Sequence, residues 1–206
     1  MATSEYNYLK GFCQGRGLYN ATKAFAFILE HHGDQTRHDG GPYYAHPVKV
    51  ATHLISLGMF HDDLEKLDTL IAGALLHDVL EDTGVTIEML SEQFSEEIAL
   101  IVQYLTKTEG ITNEVYYENV RKSLLASVIK ISDRCNNVST MAGVFSKSRL
   151  QRYIDETNSY IKPLIRYVRD YNPEISHQVV NMSYHIKSVL NAIEVMLPFM
   201  ESKVES

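Results

Sequence analysis

Residues 63–84 read Asp63-Leu-Glu-Lys-Leu-Asp-Thr-Leu-Ile-Ala-Gly-Ala-Leu-Leu-His-Asp-Val-Leu-Glu-Asp-Thr-Gly84. Leu64, Leu67, Ile71, Ala74 and Leu75 recur at the helical period and face inward. The segment therefore reads as a helix from about Asp63 to Glu81, stopped by Thr83-Gly84. The same period runs outward in both directions. Leu18, Ala21, Phe25, Ile28 and Leu29 mark a helix that Gly33 stops. After the loop Asp39-Gly-Gly-Pro42, His46-Pro47 opens a second helix with proline at its first position, and Val48, Ala51 and Ile55 form its stripe before Gly58. Further helices are expected near 86–94 and 95–107, the latter beginning at Ser95 with Glu96 and Glu97 at its positive end. One or two more cover 114–141. A long helix through Leu150, Ile154, Thr157, Ile161, Leu164, Val168 and Tyr171 bends at Pro163, and a last one spans about 174–197. Strand-like alternation is absent, so the expected fold class is all-α, one compact multi-helix domain.

Composition agrees. A chain of 206 residues with 45% hydrophobic and 22% charged residues is of ordinary globular type and long enough for a core without staples. Neither a repeat nor a Pro/Ser-rich linker divides it, so 1–206 is read as a single domain. The longest apolar runs, such as Leu70 to Leu76, fall far short of the ~20 residues of a membrane span. Met1-Ala-Thr-Ser-Glu-Tyr6 shows no secretory pattern, and Cys13 and Cys135 cannot make a disulfide framework. The expectation is a cytoplasmic, reduced protein without a membrane partner. A net charge of 19 − 26 = −7 argues against a nucleic-acid partner, which a basic face would serve. It leaves room for a small phosphorylated ligand, because one metal ion and a few cations can reverse the field inside a pocket.

Nine histidines point to where chemistry can sit. Three occur as His-Asp dipeptides, of which His38-Asp39 and His61-Asp62 read as loop or capping pairs. His77-Asp78 instead interrupts the apolar stretch, and an imidazole and a carboxylate there cost free energy unless something pairs with them. Both are suitable ligands for zinc, manganese or iron(II). Glu81 and Asp82 follow one turn later. The plain alternative is a solvated helix end carrying four polar residues. His46 sits where a Gly-Pro loop can aim it into a cleft, and Asp133 is again acidic within an apolar helical pattern. Asp133, Asn137 and Thr140 share one helical face. Two histidines and two aspartates from separate helices could enclose one divalent ion and leave positions for water and substrate.

The ordered set His46, His77-Asp78 and Asp133 resembles the H…HD…D signature of HD-domain metal phosphohydrolases. More narrowly, four stretches resemble the hydrolase domain of the Rel/Spo alarmone enzymes, especially the stand-alone small alarmone hydrolases. These are Glu30 to Arg37 leading into Gly41-Pro-Tyr-Tyr-Ala-His-Pro-Val48, Ala74-Leu-Leu-His-Asp-Val-Leu-Glu-Asp-Thr83, Val102-Gln-Tyr-Leu-Thr-Lys107 and Ile129-Lys-Ile-Ser-Asp-Arg-Cys-Asn-Asn137. The likeness covers about 24–157, with C-terminal helices over about 149–197. It implies an HD domain with a metal site between helices. His46, His77, Asp78 and Asp133 would bind one divalent ion, manganese in that family, and Glu81 and Asp82 would orient or deprotonate the attacking water. Arg37 and His38 would lie against the base. Asn137 and Thr140 would hold sugar and phosphates, with Lys147, Arg149 and Arg152 as weaker phosphate contacts. The implied reaction removes pyrophosphate from the 3′ position of (p)ppGpp, and a homo-oligomer is compatible with it. The family usually has lysine where His38 stands and commonly histidine where Asn136 stands, and His38 with Asp39 leaves an adenine alarmone open beside the guanine one.

Rival readings are an HD phosphohydrolase acting on a deoxynucleotide, NADPH or a cyclic nucleotide, and a nucleotide sensor without turnover. A di-iron oxygenase would need further histidine ligands, and none lies between His77 and Asp133. His53 shares a face with His46 and reads as a core or rim residue, and His31 and His32 as helix-end residues without chemistry. His177 and His185 read as surface or interface residues, Tyr43 as core packing, and Cys135 as a small buried apolar residue.

Overall fold

A computed structural model describes residues 4–33, 35–37 and 40–200. Regular structure among them is helical, and the extended pairing is an isolated antiparallel bridge between Thr36 and Pro42, as the all-α reading expects. The chain forms two compact units, Met1–Lys130 and Ile131–Ser206, with the division falling inside one continuous helix.

The first unit holds α1 (Ser4–Arg16), α2 (Tyr19–His32), α3 (Ala45–Ser56), α4 (Leu64–Leu76), α5 (Val79–Asp82), α6 (Ile87–Gln93), α7 (Glu96–Leu105), α8 (Asn113–Arg121) and the first turns of α9 (Leu124–Met141). Sequence reading had no counterpart for α1, whose buried stripe is only Tyr6, Leu9 and Cys13 among polar neighbours. At the centre lies α4, which packs on α2, α3 and α7 and is apolar around most of its circumference, as an enclosed helix must be. A Cβ on Gly73 would stand 3.1 Å from both Ile101 and Ile129, so this glycine admits α7 and α9 close to the α4 backbone. That approach offsets the roughly 1 kcal/mol that a mid-helix glycine costs relative to alanine. Leu18 cannot cap α2. Asp68 of α4 does so instead, accepting from the Asn20 and Ala21 backbone N–H groups at 3.0 and 2.8 Å.

The helix expected over 63–81 breaks at His77-Asp78. At the break the His77 imidazole Nδ1 donates to the Ala74 carbonyl at 2.8 Å, a side-chain bond to the backbone of the kind that competes with the helical ladder. Asp78 turns to φ −102°, ψ −5°, and its carbonyl restarts α5 by accepting from the Glu81 and Asp82 N–H groups at 3.1 and 3.0 Å. Pro47 is the third residue of α3 rather than its first, still within the turn whose N–H groups need no helical acceptor.

The second unit holds the remainder of α9, then α10 (Lys147–Glu156), a π-helical turn (Thr157–Ile161), α11 (Lys162–Tyr171) and α12 (Ser176–Met196), with α11 packed on α12. The bend expected at Pro163 is this π turn. Pro163, the second residue of α11, has no N–H for the carbonyl four residues back, and the Lys162 N–H bonds the Thr157 carbonyl five residues back. Arg134 of α9 fixes the turn from one side, donating to Glu156 Oε1 at 2.5 Å and to Thr157 Oγ1 at 3.3 Å. Those bonds compensate the burial of its charge.

Candidate functional site

His46 lies in the first turn of α3 and His77 closes α4; both are buried. Asp78 Oδ2 stands 3.1 Å from His77 Nε2 and 3.7 Å from His46 Nε2. The Ala74 carbonyl can only accept, so His77 Nδ1 carries the proton in their hydrogen bond and Nε2 is the ring nitrogen that faces the Asp78 carboxylate. An imidazole nitrogen and a carboxylate oxygen placed this close are able to share a cation. A carbonyl that fixes the tautomer of an imidazole is also the usual support of a metal-ligating histidine. Within the first unit, His46 Nε2, His77 Nε2 and Asp78 Oδ2 thus face one another as a donor set able to hold a metal ion. Nitrogen and carboxylate donors suit a divalent transition ion, so the residues fit the group.

Asp133 is buried on α9, and the Asn137 side-chain amide donates to its Oδ1 at 2.6 Å. Thr140 Oγ1 turns back onto the Asn136 and Asn137 carbonyls at 3.2 and 3.3 Å. The shared helical face expected for Asp133 and Asn137 is therefore used within the helix.

Glu81 and Asp82 form the exposed end of α5. Desolvation by surrounding protein raises the Glu81 carboxyl above its ordinary value; the Lys130 charge opposes this and the Asp78 charge adds to it. Asp82 is engaged by a residue that sequence reading had assigned to core packing. The Tyr43 hydroxyl, from the turn before α3, donates to Asp78 Oδ2 at 2.9 Å and also contacts Asp82 Oδ2 closely. Burial first, then the Asp78 charge, keeps this phenol protonated. His32, read as a residue without chemistry, is buried and stacks on the Tyr43 ring at 4.6 Å. The signal for Tyr43 was its short distance in sequence from His46; periodicity gives no clue to a hydroxyl's partner, and His32 carried no signal of its own.

Arg37 is half-buried in the loop closed by its N–H to the Gly41 carbonyl at 2.9 Å, whereas His38 lies outside the described residues. Lys147 and Arg149 occupy the first turn of α10, with Arg149 packed over the Phe145 ring, and Arg152 is exposed further along it. His53 is half-buried on α3 and His177 is exposed. His185 is half-buried, with Nε2 at 2.9 Å from Ser139 Oγ and 3.3 Å from the Cys135 carbonyl. Burial pushes the Cys135 thiol up, as an inert apolar role requires.

The HD domain profile matches residues 24–164. The chain is 40% identical over 150 residues to the guanosine-3′,5′-bis(diphosphate) 3′-pyrophosphohydrolase of Aquifex aeolicus, covering 69% of this chain and 20% of that protein. It is 37% identical over 153 residues to a probable enzyme of the same name from Synechocystis, covering 69% and 19%. A probable GTP pyrophosphokinase of Mycobacterium leprae is 36% identical over 164 residues, covering 75% and 20%. The chain thus spans about a fifth of the length of these curated relatives. Among solved structures, one described as a metazoan ortholog of SpoT that hydrolyses ppGpp superposes with a TM-score of 0.61 at 22% identity, covering 79% of this chain and 93% of that one. This likeness shows the fold.

Proposed function

This chain belongs to the HD-domain family, and from that premise we propose that it is a divalent-metal-dependent hydrolase of nucleoside 3′-pyrophosphates of the ppGpp type. The observation that carries the reading is the Asp78 carboxylate facing the His46 and His77 imidazoles, with Glu81 and Asp82 on the following turn. Similarity to the named pyrophosphohydrolases over the same stretch supports the substrate class. His46, His77, Asp78 and Asp133 are the proposed ligands, and manganese is the proposed ion. When bound, such an ion neutralises phosphate charge and lowers the pKa of a coordinated water from about 16 toward 7.

The remaining work falls to the chain's own side chains. Glu81, its proton affinity raised by desolvation, accepts a proton from the attacking water, while Asp82 orients that water. Water adds to the phosphorus attached to O3′, the P–O3′ bond breaks, and O3′ takes a proton as pyrophosphate leaves. Arg37 and His38 are proposed to face the base. Asn137 and Thr140 are proposed to meet the sugar and phosphates, with Lys147, Arg149 and Arg152 as outer cations. The reading treats 1–206 as one hydrolase domain in the cytoplasm. In support, the family match runs unbroken over 24–164, and no described helix is long and apolar enough to cross a membrane.

The test is a manganese-dependent assay with ppGpp and ppApp in parallel, resolving nucleotide and pyrophosphate, with Asp78→Ala as control. Pyrophosphate with GDP or ADP is expected from the parent and none from the variant. Bound manganese without product from either nucleotide would overturn the substrate class.

A further inference from the structure

Sequence and family resemblance assign the polar groups of this site to metal, water and nucleotide, and leave Tyr43, His32 and Gln35 without a part. The end of α2 and the loop after it nevertheless build a connected frame from these three. The Tyr43 N–H donates to the Gln35 carbonyl at 2.9 Å, closing the loop beside the Thr36–Pro42 bridge. His32 Nδ1 meets Gln35 Oε1 at 3.0 Å, and the Gln35 amide donates to the Asp82 carbonyl at 2.8 Å. The His32 ring lies flat on Tyr43, with planes 24° apart. Ring, backbone and loop are thus all anchored before the hydroxyl reaches either carboxylate.

That hydroxyl has one proton and two carboxylate neighbours. Asp78 Oδ2, which accepts from it at 2.9 Å, is the same oxygen that faces His77 Nε2 and His46 Nε2. Asp82 Oδ2 is its other partner. A shared donor lets two anionic groups stand close together. Without it they repel, and Asp82, at the exposed end of α5, is free to swing into solvent while Asp78 loses the bond that orients its oxygen.

We infer that Tyr43 is a positioning residue that holds Asp78 and Asp82 in fixed register, aiming one at the metal site and the other at the attacking water. His32 and Gln35 set the phenol in place. The inference rests on the proposed metal site and adds to it the group that couples the metal-facing acid to the water-facing acid.

Tyr43→Phe removes the hydroxyl and keeps the ring and its stack. Manganese is titrated calorimetrically into metal-free parent and variant, melting is measured in EDTA, and kcat and KM for ppGpp are measured at saturating manganese. The expected result is a 10- to 100-fold weaker manganese affinity, the usual range for loss of a group that orients a metal ligand. A kcat at least about tenfold lower is also expected, with KM within about threefold and an unchanged EDTA melting temperature. A purely structural role would lower the EDTA melting temperature and leave the affinity ratio near one. Affinity and kcat both within twofold of the parent would refute the positioning role. A parent that binds manganese without cleaving ppGpp would sink the proposed substrate while the affinity ratio still decides on Tyr43. A parent that binds no manganese would overturn both.

Discussion

Glu81→Gln removes one carboxylate charge while conserving shape, and the surroundings of Glu81 state what should follow. Desolvation is the largest influence on its carboxyl and raises it, Lys130 pulls it down, and Asp78 pushes it up again. A base with a raised pKa is still protonated where a free glutamate is already ionised, so activity should climb with pH through that raised value. In the variant kcat should fall by roughly 10²–10⁴, or about 2.7–5.4 kcal/mol of barrier, and this acid limb should vanish. Manganese affinity should stay within about twofold, because Glu81 is outside the proposed ligand set. Lys130→Met, which takes away the charge that lowers the Glu81 pKa, should move the limb to higher pH. Stability carries an independent signature. The fold holds the Glu81 proton more tightly than the unfolded chain does, so ionisation destabilises it. The penalty is absent below the ordinary value of 4.5 and complete above the raised one. Glu81→Gln should therefore melt progressively higher than the parent as pH rises through that window. The assay is kcat for ppGpp from about pH 4.5 to 9 at saturating manganese, with melting curves over the same range. A variant that keeps parental kcat and the same acid limb would refute Glu81 as the base.

Two further outcomes test the scaffold and the ion. Gly73→Val adds side-chain carbon where even a Cβ stands 3.1 Å from Ile101 and Ile129, so a loss of about 1–3 kcal/mol is expected. For a chain of this length that is roughly 2–12 °C in melting temperature, and an unchanged melting temperature would contradict the close packing of α4. Manganese at about 100 times its dissociation constant should stabilise the parent by about 2.7 kcal/mol relative to EDTA, roughly 5–11 °C. Asp78→Ala should show no such difference, and a parent equally insensitive to chelation would argue that the donor set holds no ion.

The helical class and several caps followed from the sequence because both are local. A 3.6-residue period is visible in Leu64, Leu67, Ile71, Ala74 and Leu75, and Ser95 does cap α7, accepting from the Ile98 N–H at 3.1 Å. The break at His77 was not legible, since the periodicity of α4 continues through it. At that break a side-chain nitrogen bonds a backbone carbonyl, a contact that apolar spacing does not encode. The cap of α2 was equally illegible, because its first N–H groups are satisfied by Asp68 of another helix. Within the site, residue types that can ligate a metal were readable, because imidazole and carboxylate in an apolar run need a partner to offset their burial. Where each side chain points was not. Tyr43 meets Asp78 and Asp82 across separations of 35 and 39 residues, and His32 becomes its platform only once α2 and the loop after it are folded. Sequence alone determined which groups must be satisfied, since burying a polar atom costs free energy wherever it lies. Only the tertiary structure decided which distant group satisfies it, because that depends on the packing of whole helices.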